Sequence, residues 1–351
     1  SVYIVGFLGI TFLFFLFYKK LLEEKEHSIV LYLVLLIVYS FGPLSNLFPL
    51  WLTSLVFVLT IFLLNAKKKI LNFNMQINIY EFETLGKMVL LSAVVLPLLP
   101  EEKIIPYLGI SLYKIWLTVV VISGISYAGY LVQKYLFPSK GIFLTGLIGG
   151  TYSSTATTVV LSKKAQTLEA NHIITASIIA ATTMMYIRIL IISYIFNFEV
   201  AKTILFPFVF FIFLTIIVTY IYYKKASTTT NNITIKDTNP LELGTAFIFA
   251  ILFIMTMLVT NYVIENFGTN GLRFLSSIIG FADIDPFILS LLTGKYSIEP
   301  VQIASAIIIA SGSNNILKAI YTLWFGKDKT FSSFILLMIL GILTILVGFF
   351  L

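Results

Sequence analysis

The chain has no cysteine and only two histidines, His27 and His172. Disulfides, thiolate metal centres and cysteine nucleophiles are therefore excluded, and an imidazole zinc cage cannot be built. Charge is scarce as well. Only 11% of the 351 residues are Asp, Glu, Lys or Arg, against about 25% in an ordinary soluble domain. HExxH, a nucleotide-binding glycine loop and a Ser-His-Asp constellation are all missing. What fills the chain is apolar: 59% of it is hydrophobic. A soluble fold of this size would have too little polar surface to cover its core. A cytosolic enzyme, a nucleic-acid-binding domain and a disordered scaffold are thereby excluded. The formal charge of +7 reads as Lys and Arg gathered in cytoplasmic loops, not as a nucleic-acid footprint. The chain starts at Ser1, is apolar from Val2, and shows no signal-peptide cleavage pattern.

The expected fold is all-α: a polytopic transmembrane bundle of ten to twelve membrane segments in a bacterial inner membrane. Twelve apolar runs can be read against the roughly 20 residues that span a bilayer as helix. They are 2–18, 28–42, 48–65, 84–99, 112–132, 142–161, 173–195, 204–223, 241–264, 272–292, 301–325 and 331–351. Ten read as full spans. The sixth, GIFLTGLIGGTYSSTATTVVL, is rich in glycine and hydroxyls, and the tenth contains GFADIDPF. These two either cross or re-enter.

Sliding the chain by 130 residues lays Gly141 on Gly271, Gly150 on Gly280, Ser153 on Asp283, Thr155 on Asp285 and Arg188 on Lys318. The expected organisation is an N-terminal helical region (1–111), a first repeat unit (112–223), a polar linker (224–239) and a second unit (240–351). Loop charge decides the relative orientation. Lys67, Lys68 and Lys69 place their loop inside. If the sixth run re-enters, Lys163, Lys164, Lys224, Lys225 and Lys236 are inside as well. If the tenth does too, Lys327 and Lys329 follow. The loop 100–106 stays outside in either case. Re-entry makes the units inverted, with two irregular segments meeting near the midplane, a recurrent plan for secondary transporters.

Four charges then lie within apolar runs: Asp283, Asp285, Arg188 and Lys318. An Asp at mid-membrane costs about 2.5–3.5 kcal/mol or more, so it is rarely kept without a partner. Residues two apart cannot share a helix face, but lie on one side of an extended stretch, which Pro286 favours for Asp285. With Ser154, Thr157 and Asn314 as neutral oxygens, the two carboxylates would suit a hard divalent cation. Arg188 or Lys318 would compensate the charge when the site is empty. The plainer alternatives are a structural ion pair, small residues for close packing, and Lys318 snorkelling to the interface. Both carboxylates sit on one short segment, whereas an intramembrane aspartyl protease draws its dyad from two helices, so no enzyme is expected. The expected function is divalent-cation transport, with the metal as substrate and no cofactor. An anion or small-organic-acid carrier using Arg188, Lys318 and helix N-termini, and a non-transporting regulatory protein, are the alternatives. A homodimer is the expected assembly, since many inverted-repeat transporters need a fixed scaffold.

The strings LLSAVVLPLLP, LYKIWLTVVVISGISYAGYL, GLIGGTYSSTATTVVL, NPLELGTAFIFA, GFADIDPF and SNNILKA together resemble the MgtC/SapB-related bacterial membrane proteins with a long C-terminal domain of unknown function. The resemblance spans about residues 80–330. The earlier MgtC-like segment with Gly, Arg and Glu is not found. The resemblance implies divalent-metal homeostasis. Its LicB-like branch implies transport of a first-row transition metal.

Overall fold

The computed structural model describes residues 2–23, 29–71, 79–102, 109–131, 141–167, 171–226 and 243–351. His27, Lys134, Lys140, Lys236, most of the polar linker and part of the 100–106 loop lie outside these. Among the described residues the regular structure is all helical. Five stretches are helices long and apolar enough to cross a membrane: Leu112–Gly129, Asn171–Phe196, Phe198–Lys225, Phe247–Ile279 and Pro300–Phe350. The last holds two helices joined by a 3-10 turn, Lys327–Thr330.

The chain forms two compact units, Ser1–Pro100 and Glu101–Leu351. The first holds α1 (Val2–Glu23), α2 (Ile29–Leu47), α3 (Leu50–Leu71), α4 (Ile79–Val89) and the short α5 (Leu96–Leu98). A π-helical turn, Leu90–Val95, links α4 to α5 and buries Leu91 and Val94. Pro97 follows this π-helical turn, one residue before the helix ends at Leu98.

The second unit holds α6 (Leu112–Leu131), α7 (Ile142–Ala165), α8 (Asn171–Phe196), α9 (Phe198–Lys225), α10 (Leu243–Ile279), α11 (Ile284–Thr293), α12 (Pro300–Gly326) and α13 (Phe331–Phe350). Contacts give the helix directions. Thr175 meets Ser333 and Tyr186 meets Thr344, so α8 and α13 run parallel. Ser305 meets Gly348, and a side chain at Gly312 would touch Gly341, so α12 and α13 are antiparallel. Thr182 meets Lys318 and Tyr186 meets Asn315, so α8 and α12 are antiparallel as well.

α7 is two arms, 142–152 and 154–165, broken at Ser153 (φ −156°, ψ 99°). In a straight helix, residues eight apart are separated by about 12 Å along the axis. A Cβ on Gly149 would instead lie 2.5 Å from Thr157 Oγ1, so the second arm folds back on the first. Chain length requires the same. The first arm follows α8, with Gly146 against Ser177 and Gly150 against Ala181. An onward second arm would leave a gap of about 37 Å to Asn171, which six residues cannot span.

A second hairpin faces it. α10 is broken at Gly268, where a φ of +58° suits only glycine. Its last arm, 269–279, reaches α12, where Gly280 packs on Ala310 and Ser313 and accepts a hydrogen bond from Asn314. The chain turns through 280–283 and continues as α11. An onward α11 would end some 30 Å or more from Pro300, beyond the reach of seven residues, so α11 returns toward the start of α12. The break at Gly268 thus falls in the gap between the ninth and tenth apolar runs, and the tenth run is broken again at 280–283.

The glycines in the first hairpin permit this approach. Gly150→Val should cost several kcal/mol, because the added Cβ would sit 2.5 Å from backbone at Ala181, and overpacking typically costs about 1–3 kcal/mol even where side chains can yield. Gly141→Ala meets nothing within 4 Å and should be neutral. Thermal unfolding in detergent separates the two.

Candidate functional site

The tips of the two hairpins lie on one cavity of about 630 Å³. Each tip starts a helix, and each start is capped. Ser153 Oγ accepts from the Ala156 N–H at 3.2 Å. Asp283, extended at φ −81° and ψ 115°, accepts from the Asp285 N–H at 3.2 Å. Asp285 is therefore helical, in the first turn of α11. Pro286 does not hold it extended as the sequence suggested, because the first turn has no use for the proline's missing N–H. The two carboxylates still reach the same cavity, since only Asp283 lies outside the helix.

Arg188 of α8 ties the tips together. Its Nη1 donates to the Tyr152 carbonyl at 2.6 Å, an acceptor released by the break at Ser153. Its Nη2 donates to both oxygens of Asp285, at 2.6 and 2.8 Å. The side chains are 10% and 15% exposed, so this is a largely buried ion pair. Arg188 Nε is buried without a partner. Asn314 of α12 makes a second link. Its Nδ2 donates to the Gly280 carbonyl at 3.1 Å, and its Oδ1 lies 3.5 Å from the Thr155 hydroxyl.

Of the residues singled out by sequence, Asp283, Asp285, Ser154, Asn314 and Arg188 line the cavity. Thr157 does not. It lies one turn into the second arm of α7, facing Gly149, and its buried hydroxyl has no partner. Lys318 is also off the lining. It is fully buried, with Nζ 3.1 Å from Thr182 Oγ1 and 3.5 Å from Met185 Sδ. Snorkelling is thus excluded for it: mid-helix burial leaves its stem no path to an interface. Among the polar lining residues, Ser123, Ser126, Tyr152 and Tyr321 were missed. Serines three apart in the apolar stretch ISGIS share a helix face, and that was the available signal.

The cavity has a direction. It follows α12 from Asn314 to Tyr321 and the second arm of α7 from Ser153 to Val159. Both lead toward one end of the bundle. There Lys163 lies over the Phe325 ring, Phe143 meets Tyr223 and His172 meets Tyr222. Among the described residues, Lys163, Lys164, Lys224, Lys225, Lys327 and Lys329 collect at this end, with Asp328 as their acid.

The family model described as "Domain of unknown function (DUF4010)" matches residues 120–326, which takes in both hairpins and α12. The chain belongs to the DUF4010 family. An uncharacterized protein of Aquifex aeolicus (strain VF5) is 30% identical over 192 residues, covering 54% of this chain and 84% of the relative. No solved structure matches. These findings correct the resemblance drawn from the sequence strings. The matching family is DUF4010 and not the MgtC/SapB-related or LicB-like proteins, and neither match carries a metal-related description. The strings that suggested otherwise fall largely inside the DUF4010 match. The argument for a first-row transition metal, which rested on the resemblance, falls with it.

Proposed function

We propose that this DUF4010 protein is a secondary transporter of a bacterial inner membrane, and that its cargo is a hard divalent cation bound between the two hairpin tips. The observation that carries the reading is the charge on the cavity wall. Among the described residues, three charged ones line it. Arg188 and Asp285 neutralise each other, which leaves the cavity-facing carboxylate of Asp283. At each tip the capping side chain already takes one of the free helix N–H groups, and at the second tip that cap is a carboxylate, which weighs against an anion there. Ser154 and Asn314 add neutral oxygens, and Asp285 joins the set once Arg188 gives way. Oxygen ligands without imidazole or thiolate favour Mg²⁺ or Mn²⁺. Among the described residues no group of three or more His, Cys, Asp or Glu is preassembled, in keeping with cargo that must leave again.

The architecture agrees with transport by inverted repeats. α8 and α12 are mates under the 130-residue offset and run antiparallel. Each hairpin returns toward the start of the helix that follows it, α8 or α12, so the two enter from opposite ends as re-entrant segments. Counted with α1–α4, this makes ten to twelve membrane segments. The basic end is the cytoplasmic one. Single cysteines at Lys163, Lys224 and Lys329 should all react with an impermeant maleimide from the cytoplasmic side. Reaction of any of them from the outside would refute the inverted arrangement.

Calorimetry of the purified protein against Mg²⁺, Mn²⁺ and Co²⁺, followed by flux in liposomes, tests the cargo. Thermal stabilisation by anions and not by metals would replace the cation with an anionic substrate. Absence of any flux together with a co-purifying protein would make the chain a regulatory component.

A further inference from the structure

Arg188 and Lys318 are mates under the 130-residue offset, yet their surroundings differ. Arg188 lines the cavity and binds the Tyr152 carbonyl and Asp285. Lys318 is sealed behind the wall on Thr182 and Met185, and among the described residues no carboxylate lies within ion-pair distance of it. The offset converts Arg188's partners into a second pair. Tyr152 falls on Ala282, and Asp285 falls on Thr155. Ala282 and Thr155 both line the cavity. Thr155 is near Lys318's row already, since its hydroxyl touches Asn314, four residues before Lys318 and so on the same face of α12.

Two inverted units can exchange conformations, each taking the shape the other now has. Resting on the transporter reading, we propose a second state in which Lys318 takes the place of Arg188. In that state Lys318 Nζ leaves Thr182 and Met185 and donates to the Ala282 carbonyl and the Thr155 hydroxyl. Arg188 withdraws from the tips. The cavity then extends toward the opposite end of the bundle, along Leu289 and Ile187, the mates of Val159 and Leu317. Leu289 is fully buried here, whereas Val159 lines the cavity. The two states are unequal because the mates are unequal. Arg188 has a carboxylate and Lys318 would have only a hydroxyl, so the present state is the resting one. Thr155→Asp supplies the missing carboxylate and shifts the balance toward the second state.

Because the chain contains no cysteine, single cysteines report each state without a background. Leu289→Cys would be labelled with impermeant maleimide in right-side-out vesicles, and Val159→Cys in inside-out vesicles, each with and without Thr155→Asp. Thr155→Asp should speed labelling at Leu289→Cys at least tenfold and slow it at Val159→Cys by a comparable factor. Unchanged rates, or rates moving in the same direction, would overturn the proposal. Ile187→Cys replaces Leu289→Cys if the latter does not accumulate in the membrane. The labelling needs no metal. A reciprocal shift without Mg²⁺ or Mn²⁺ flux would refute the cation reading and leave the two states standing. Flux without the shift would refute the two states alone.

Discussion

Asp283→Asn should weaken Mn²⁺ and Mg²⁺ binding about 100-fold or more while leaving the fold intact. Two unit charges 4 Å apart interact by about 4 kcal/mol at an effective dielectric near 20, and a divalent ion doubles this. Even if desolvation cancels more than half, about 3 kcal/mol remains, and each 1.4 kcal/mol is tenfold in affinity. The substitution isolates charge from structure for a specific reason. Asp283 caps α11 by accepting from the Asp285 N–H, and an Asn amide oxygen caps about as well as a carboxylate. Asp283→Ala should lose the cap too, at about 1 kcal/mol, and so unfold earlier as well as bind less. Calorimetry gives the affinity and thermal unfolding in detergent gives the stability. Metal binding unaltered in Asp283→Asn would refute the site.

Much of this was legible from composition and from where the charges fall. Scarce charge and long apolar runs indicated helices able to cross a membrane. The small and polar residues of 142–161 and 272–292 marked the segments that break. Lys163 and Lys327, far apart in sequence, were read to one side of a membrane, and the contacts of Phe325 and Tyr223 bring their helix ends together. The breaks themselves were harder to place. Gly268 lies in the polar stretch 265–271 between two apolar runs, which marked a boundary there, but hydropathy did not distinguish a kink inside one helix from a loop between two. Pro286 misled because its effect depends on register: it opposes a helix in the interior and is harmless in the first turn. Lys318 misled for a different reason. Snorkelling to an interface was open to it in the sequence, but its height in the bundle depends on how α12 packs on α8, which is a tertiary fact. The pairing of Asp285 with Arg188 and not with Lys318 has the same origin, because both cations lie on apolar helices and the choice is made by which one meets the tips.

That pairing sets the second large effect. Removing either member should destabilise the metal-free protein by about 3–5 kcal/mol, since it strands a buried charge. Arg188→Met leaves Asp285 unpaired and also removes the donor to the Tyr152 carbonyl. The double variant Arg188→Met, Asp285→Leu should recover most of the loss, because an apolar pair of similar volume avoids the desolvation that the ion pair only offsets. Metal should divide the variants further. Arg188→Met frees Asp285 to act as a second anionic ligand, so millimolar Mn²⁺ should raise its unfolding temperature by more than it raises that of the wild type, following the dependence of stability on ligand concentration over Kd. The double variant has lost that carboxylate and should gain less than the wild type. The three responses would order as Arg188→Met, wild type, double variant only if Arg188 competes with the cation for Asp285. Equal metal-induced stabilisation in all three would show that the pair is structural and that the cation, if bound, does not involve Asp285.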